Sequence, residues 1–192
     1  MNTRHLDLGC GTTPRNPYRR DELYTVDLAR PEGVAPEYFR SANLSLEPIP
    51  YEDAMFDSVS AYDFLEHVPR VLNTADGRGT RFPFIEVMNQ VHRVLKPGGR
   101  FYALTPGWPR HESMTDPTHV NIITEHTHRY FTDEPPAARI YGFSGRFKCL
   151  RSAWVRKRRT EYIVPGADPL RRFFDVLLRR RAHLLWELEA VK

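Results

Sequence analysis

The sequence predicts an open α/β fold on a mostly parallel sheet, and three observations carry the prediction. Leu6-Asp7-Leu8-Gly9-Cys10-Gly11 reads as a strand running into a glycine turn. Tyr24-Thr25-Val26-Asp27 reads as a second strand that ends in an acid. An amphipathic helix over 82–95, with Phe84, Val87, Met88, Val91, Val94 and Leu95 on one face, runs into Lys96-Pro97-Gly98-Gly99 and a further strand. A glycine turn at the carboxyl end of one strand, with an acid ending the next, is how such sheets hold a ribonucleotide. Glycine lets the backbone approach the ligand. The carboxylate of Asp27 can accept hydrogen bonds from both ribose hydroxyls. A nucleoside-like ligand is therefore expected at this edge.

The other elements follow in order. Strands are expected at 4–9, 22–27, 37–42, 56–62 and 99–105, with two more near 146–156 and 183–191. Helical spacing fits 63–72, 82–95, 124–131 and 168–181. The polar, glycine-containing stretch 73–81 reads as a surface loop. The connections 10–22 and 28–37 hold Pro14, Pro17, Pro31, Gly33 and Pro36, so neither offers an uninterrupted helix. His5 and Asp7 alternate with Leu6 and Leu8, whereas a strand covered on both faces tends to read as a continuous apolar run. One face of the N-terminal half is thus expected to be thinly covered. The long loops, or a partner subunit in a homodimer, would have to shield it.

A length of 192 residues, with 41% hydrophobic and 27% charged residues, fits one soluble globular domain. No run of 18 apolar residues exists, which excludes a membrane-spanning helix. The absence of a basic-then-apolar leader makes the cytoplasm the expected compartment. Cys10 and Cys149 give neither metal-ligand spacing nor a disulfide framework. Charge is uneven: residues 139–192 hold 14 Lys and Arg against 5 Asp and Glu. Most of that excess lies in Arg156-Lys157-Arg158-Arg159, Arg171-Arg172 and Arg179-Arg180-Arg181. Such a surface attracts nucleic acid, anionic lipid or a phosphorylated substrate, or simply keeps the chain solvated.

Taken in order, these pieces resemble a class I S-adenosylmethionine-dependent methyltransferase. Leu6-Asp7-Leu8-Gly9-Cys10-Gly11 resembles the family's first motif, and Val26-Asp27-Leu28 the acidic end of its second strand. Ala42-Asn43-Leu44 falls where the family flanks adenine. Phe56-Asp57-Ser58-Val59 through Leu65-Glu66-His67-Val68 resembles its fourth strand and the following turn. Arg93-Val94-Leu95-Lys96-Pro97-Gly98-Gly99 resembles the junction into its fifth strand. The resemblance extends from Leu6 to about Phe131.

The resemblance implies a Rossmann-like, seven-stranded, mostly parallel sheet with an antiparallel C-terminal edge strand and with N-terminal helices reduced or missing. It implies a single methyltransferase domain over 1–192, with a cofactor-binding half at 1–105. The acceptor-side loop and C-terminal strands occupy 106–192. It also implies that Asp7, Gly9, Cys10, Gly11, Asp27, Leu28, Asn43, Leu44 and Tyr62 bind S-adenosyl-L-methionine. Asp27 would take the ribose, with Asn43 and Leu44 at the adenine. Asp7 would lie near the cofactor's amino group, or else cap backbone amides of the glycine turn. Thr13 and Pro14 depart from the family pattern and predict a loop where a helix usually starts.

Methyl transfer from a sulfonium is an in-line displacement on an activated electrophile, so the protein mainly positions the acceptor. A hydroxyl acceptor is helped by a base near neutrality, which suits histidine. After the fifth strand come His111, Asp116-Pro117-Thr118-His119-Val120-Asn121, His126 and His128. The catalytic candidates are His119, then His67, then His111, with Asp116 orienting one of them; each histidine also reads as a pocket-wall residue. No metal site is expected, since His126 and His128 at i and i+2 on a helix start do not face each other. Trp108 and Met114 read as pocket wall or core. Enzymes that methylate nucleic-acid amino groups typically carry an Asn/Asp-Pro-Pro-aromatic string after the fourth strand. Tyr62-Asp63-Phe64-Leu65-Glu66-His67 stands there instead and disfavours that class. The expected function is methyl transfer to oxygen of a small-molecule or glycan acceptor. The alternatives are an RNA methyltransferase using the basic C-terminal surface and a non-catalytic partner of the same fold.

Overall fold

A computed structural model describes residues 2–157 and 181–192. In chain order the elements are β1 (Arg4–Leu8), β2 (Glu22–Asp27), β3 (Phe39–Ser41), β4 (Phe56–Tyr62), β5 (Leu72–Asn73) and β6 (Thr80–Arg81). They are followed by α1 (Pro83–Val94), β7 (Leu95–Pro106), α2 (Glu112–Thr115), α3 (Arg129–Thr132), β8 (Phe147–Val155) and β9 (His183–Ala190). Seven strands form one sheet in the order β3-β2-β1-β4-β7-β9-β8. β3, β2, β1, β4 and β7 are mutually parallel, and β9 runs antiparallel to both β7 and β8. The expected antiparallel C-terminal pair is present, with β9 as the reversed strand and β8 at the edge.

Among the described residues one crossover carries a full helix. α1 starts on Pro83, which needs no amide partner in the first turn, and ends at Val94. It buries Phe84, Ile85, Val87, Met88, Val91 and Val94 against Leu6, Leu8, Val26, Val59 and Phe101 of the sheet. Each such side chain contributes roughly 1.5–3 kcal/mol by leaving water. The other early connections are loops, as their prolines predict; the second carries only a 3₁₀ turn at Pro36–Tyr38.

The opposite face is a different kind of layer. Tyr62, Tyr102, Leu104, Val155 and Leu185 form its small apolar part. Under β1 it is polar: the two ring nitrogens of His5 lie 2.8 Å from the hydroxyls of Ser58 and Ser60, all three residues buried. The loop 9–21 folds back over this face. Tyr18 packs on Tyr102 and donates to Glu187 Oε1 at 2.9 Å, and Arg15 lies 4.9 Å over the Tyr62 ring. The shield expected from a loop or a partner subunit is thus supplied by this loop.

Several expected elements differ. The helix at 63–72 is only a 3₁₀ turn at Leu65–His67, because Pro69 drives the preceding Val68 to extended backbone. The helix at 124–131 is a single turn, α3, since Thr124 and Thr127 bond to each other locally instead. The loop at 73–81 contains the hairpin β5–β6, closed by side chains: Gly79 N donates to Thr74 Oγ1 and Arg78 N to Asp76 Oδ1. Strand 37–42 shrinks to Phe39–Ser41. The fifth strand begins earlier, at Leu95 rather than 99, with a register shift opposite Phe56 and Ser58. Trp108 and Met114 are more than half exposed rather than core. The helix expected at 168–181 and most of the basic clusters lie outside the described residues. No helix among the described residues is long and apolar enough to cross a membrane.

Candidate active site

At the carboxyl edge of β1, β2 and β4 lies a cavity of about 310 Å³, whose lining includes Gly9, Asp27, Leu28, Asn43, Leu44, Phe64 and His67. β1 ends at Leu8 and the chain turns at Gly9, whose φ of 60° is left-handed. A Cβ there would stand 2.6 Å from Phe64 Cδ2, so the phenyl ring packs against bare backbone. Asp27 ends β2 with its carboxylate held at both oxygens: Gly11 N donates to Oδ2 at 2.8 Å and Leu28 N to Oδ1 at 2.6 Å. A carboxylate has about four acceptor positions, so two remain for a ligand diol. Leu28, 68% exposed, and the buried Leu44 add apolar wall. Asn43 heads a turn in which Ser45 N donates to its Oδ1 and its own amide donates to Glu47 Oε2. The glycine cradle, fixed acid and apolar wall fit a nucleoside.

The structure places Asp7, Cys10, Gly11 and Tyr62 outside that lining. Alternation along β1 and β4 turns Asp7 and Tyr62 to the opposite face. Asp7 is buried there, accepting from Ser60 Oγ at 2.5 Å and from Arg15 N at 2.8 Å. The amide it caps is that of Arg15, beyond the glycine turn, and burial pushes its carboxyl up to about 7. Burial also pushes the Cys10 thiol up to about 12. Gly11 acts through its amide on Asp27.

Of the catalytic candidates, His119, His67 and Asp116 come together, and His111 does not join them. Val120 N and Asn121 N both donate to Glu66 O at 2.9 Å, and Asn121 Nδ2 donates to Leu65 O. Arg70 donates to Asn121 Oδ1 and Ile122 O. This lacing folds the segment after β7 over the turn after β4 and sets the His67 and His119 rings edge to face, centroids 4.8 Å apart. Thr118 Oγ1 donates to Asp116 Oδ1 at 2.7 Å and lies 3.0 Å from His67 Nδ1. His119 Nδ1 lies 3.1 Å from Ser113 O, and its Nε2 lies 4.0 Å from Asp116 Oδ2. The Thr118 hydroxyl and amide hold Asp116 below the usual carboxylate range. His111, whose side chain is 86% exposed, pairs with Glu112 away from this cluster.

Sequence reasoning did not assign a role to Glu66, which is buried beside the two histidines and raised to about 8 by that burial. Its only sequence signal was adjacency to His67. A larger cavity of about 390 Å³ opens between the start of α1 and α3, with Phe82, Phe84, Tyr130, Phe131 and Tyr141 in its wall. Arg70 and His126 also face it.

The methyltransferase domain family model matches residues 6–103. No curated protein matches the chain. Among solved structures it is similar to a chain of the complex between the Haloferax volcanii Trm112 methyltransferase activator and a methyltransferase (TM-score 0.59, 15% identity, 100% of this chain and 84% of that one). A SAM-dependent methyltransferase from Archaeoglobus fulgidus aligns with TM-score 0.54 at 13% identity, over 98% and 86% of the two chains. A Burkholderia thailandensis 1,6-didemethyltoxoflavin-N1-methyltransferase aligns with TM-score 0.51 at 16% identity, over 100% and 72%. These likenesses describe the fold, and the family model's span includes the glycine turn and Asp27. The chain belongs to the methyltransferase domain family and is an S-adenosylmethionine-dependent methyltransferase of Rossmann-like fold.

Proposed function

We propose that the chain methylates a hydroxyl of a small molecule or glycan precursor, beside a cofactor held by Gly9, Asp27, Leu28, Asn43 and Leu44. The observation that carries this reading is His67, which lines the nucleoside cavity and also faces His119. When bound, S-adenosyl-L-methionine supplies a methyl group already activated on sulfur. Asp27 fixes the ribose, while Leu28 and Leu44 flank the base. The cluster of His67, His119 and Asp116 takes the proton that a hydroxyl must lose as its oxygen becomes the nucleophile. The aromatic cavity next to Arg70 offers stacking surface for a planar or sugar-like acceptor body. Cys10 and Gly11 complete the turn, with Gly11 N fixing Asp27, while Asp7 and Tyr62 lie on the far face of the sheet.

The test is transfer of labelled methyl from S-adenosylmethionine to a panel of sugars, phenols, amines and RNA. Products at oxygen of the sugars or phenols support the reading. Transfer to RNA or to amines alone would overturn it, and RNA transfer would turn attention to the basic C-terminal clusters.

A further inference from the structure

The cluster beside the cofactor cavity has the composition of a cation site. One ring nitrogen each of His67 and His119 and one carboxylate oxygen of Glu66 lie within 4.8 Å of one another. These residues come from two segments that the Glu66 carbonyl and Asn121 lace together, so their grouping is built into the fold.

The hydrogen bonds around the cluster decide which atoms remain available. Ser113 O can only accept, so His119 Nδ1 carries the hydrogen and the neutral ring presents a bare Nε2. Thr118 has one hydroxyl hydrogen and gives it to Asp116, so its oxygen accepts from His67 Nδ1. His67 therefore also presents a bare Nε2. A ligand histidine characteristically donates its other nitrogen to a carbonyl or to a carboxylate-linked group in this way. Glu66 adds an independent sign. The residue is 1% exposed; its Oε2 accepts from Thr105 Oγ1 at 2.9 Å, while Oε1 is buried without any hydrogen-bond partner. An orphaned buried carboxylate oxygen is costly unless a cation or donor meets it.

We propose that Glu66, His67 and His119 hold one divalent first-row metal ion at the acceptor side of the cofactor cavity. Two imidazoles and one carboxylate favour zinc, manganese, iron(II) or cobalt over magnesium or calcium, which prefer all-oxygen sets. Three protein ligands leave positions open for an acceptor oxygen. The catalytic role rests on the hydroxyl-methylation reading above; the binding site does not. In that role the ion would replace the histidines as the means of activating the hydroxyl: it would lower the pKa of the bound acceptor oxygen, and the proton would pass to Asp116 and on to solvent. The oxygen then forms the new C–O bond as the methyl–sulfur bond breaks, and S-adenosylhomocysteine leaves with the electron pair.

The test titrates tag-free, metal-stripped protein with Co²⁺, followed by visible absorption, and then with Zn²⁺ as competitor. A saturable cobalt spectrum at one equivalent, displaced by Zn²⁺, is expected. Glu66→Gln and His119→Gln should each weaken binding at least about tenfold. S-adenosylhomocysteine binding in the same variants, which do not line the cofactor cavity, reports that they are folded. A spectrum that stays that of aqueous cobalt would overturn the site, as would undiminished binding in both variants. A thiolate charge-transfer band would also overturn it, by moving the metal to a cysteine. Saturable cobalt binding without any S-adenosylhomocysteine binding would uphold the metal site and refute the assigned cofactor contacts.

Discussion

The amide of Gly11 donates a 2.8 Å hydrogen bond to Asp27 Oδ2 and so ties the glycine turn after β1 to the acid that ends β2. With Leu28 N on the other oxygen, the carboxylate is oriented before any ligand arrives. Preorganisation of this kind spares a ligand the cost of ordering the side chain.

The glycine turn should separate two superficially equal substitutions. Gly9 and Gly11 both have positive φ, a strain of about 1–2 kcal/mol for alanine. Only at Gly9 would the new Cβ collide with Phe64, whereas nothing lies within 4 Å of that position at Gly11. Gly9→Ala should therefore lower thermal stability clearly more than Gly11→Ala in ligand-free protein. Equal losses in a melting experiment would contradict the packing of Phe64 on bare backbone.

Replacing His119 should affect chemistry rather than cofactor binding. His119→Ala is expected to lower kcat about 10²–10⁴-fold, the usual weight of a positioned acid–base group or its support. S-adenosylhomocysteine affinity should stay within twofold, roughly, because His119 does not line the cofactor cavity. A variant with wild-type kcat on the identified acceptor would remove His119 from the mechanism.

The polar layer behind β1 predicts a pH effect of known sign. Burial, helped by Arg20, lowers His5 from 6.5 to about 3. The unfolded chain therefore binds the extra proton first as pH falls below 6.5. Stability owed to neutral His5 is present above 6.5 and is lost at about 1.4 kcal/mol per pH unit down to about 3. Asp7, raised to about 7, drifts the opposite way between about 4 and 7, so the wild type alone shows a muted slope. The comparison with His5→Gln isolates the histidine: its deficit in denaturant unfolding at pH 7 should shrink on acidification. A gap constant from pH 7 to 4.5 would contradict the buried neutral imidazole.

The loop over the back face should contribute measurable stability. Tyr18→Ala removes the edge contact with Tyr102 and the hydrogen bond to Glu187, and is expected to cost about 2 kcal/mol at this half-buried position. Proteolysis within 9–21 should accelerate in parallel. Unchanged stability and cleavage would show that the loop is not the cover.

The sheet and cofactor edge were legible because their signals are local. Leu6 and Leu8 alternate into the core, Asp27 ends its strand, and Pro14 and Pro17 forbid a helix where the chain indeed loops. Pro69 is a local signal of the same kind, and it disfavours a helix through Val68. The resemblance implies that Asp7 and Tyr62 reach the cofactor, whereas alternation along β1 and β4 turns both to the far face of the sheet. The gathering of Glu66, His67 and His119 was not legible. It depends on Asn121 and Arg70 folding one loop onto another across about fifty residues, which no spacing rule describes.

The most direct measurement is calorimetry of S-adenosylhomocysteine with the wild-type chain and with Asp27→Ala. The cofactor site described here predicts saturable one-to-one binding to the wild type and a loss of at least about tenfold, or roughly 1.4 kcal/mol, in the variant. Equal affinity in the two proteins would contradict it, because the one carboxylate preset by Gly11 and Leu28 would then be holding nothing.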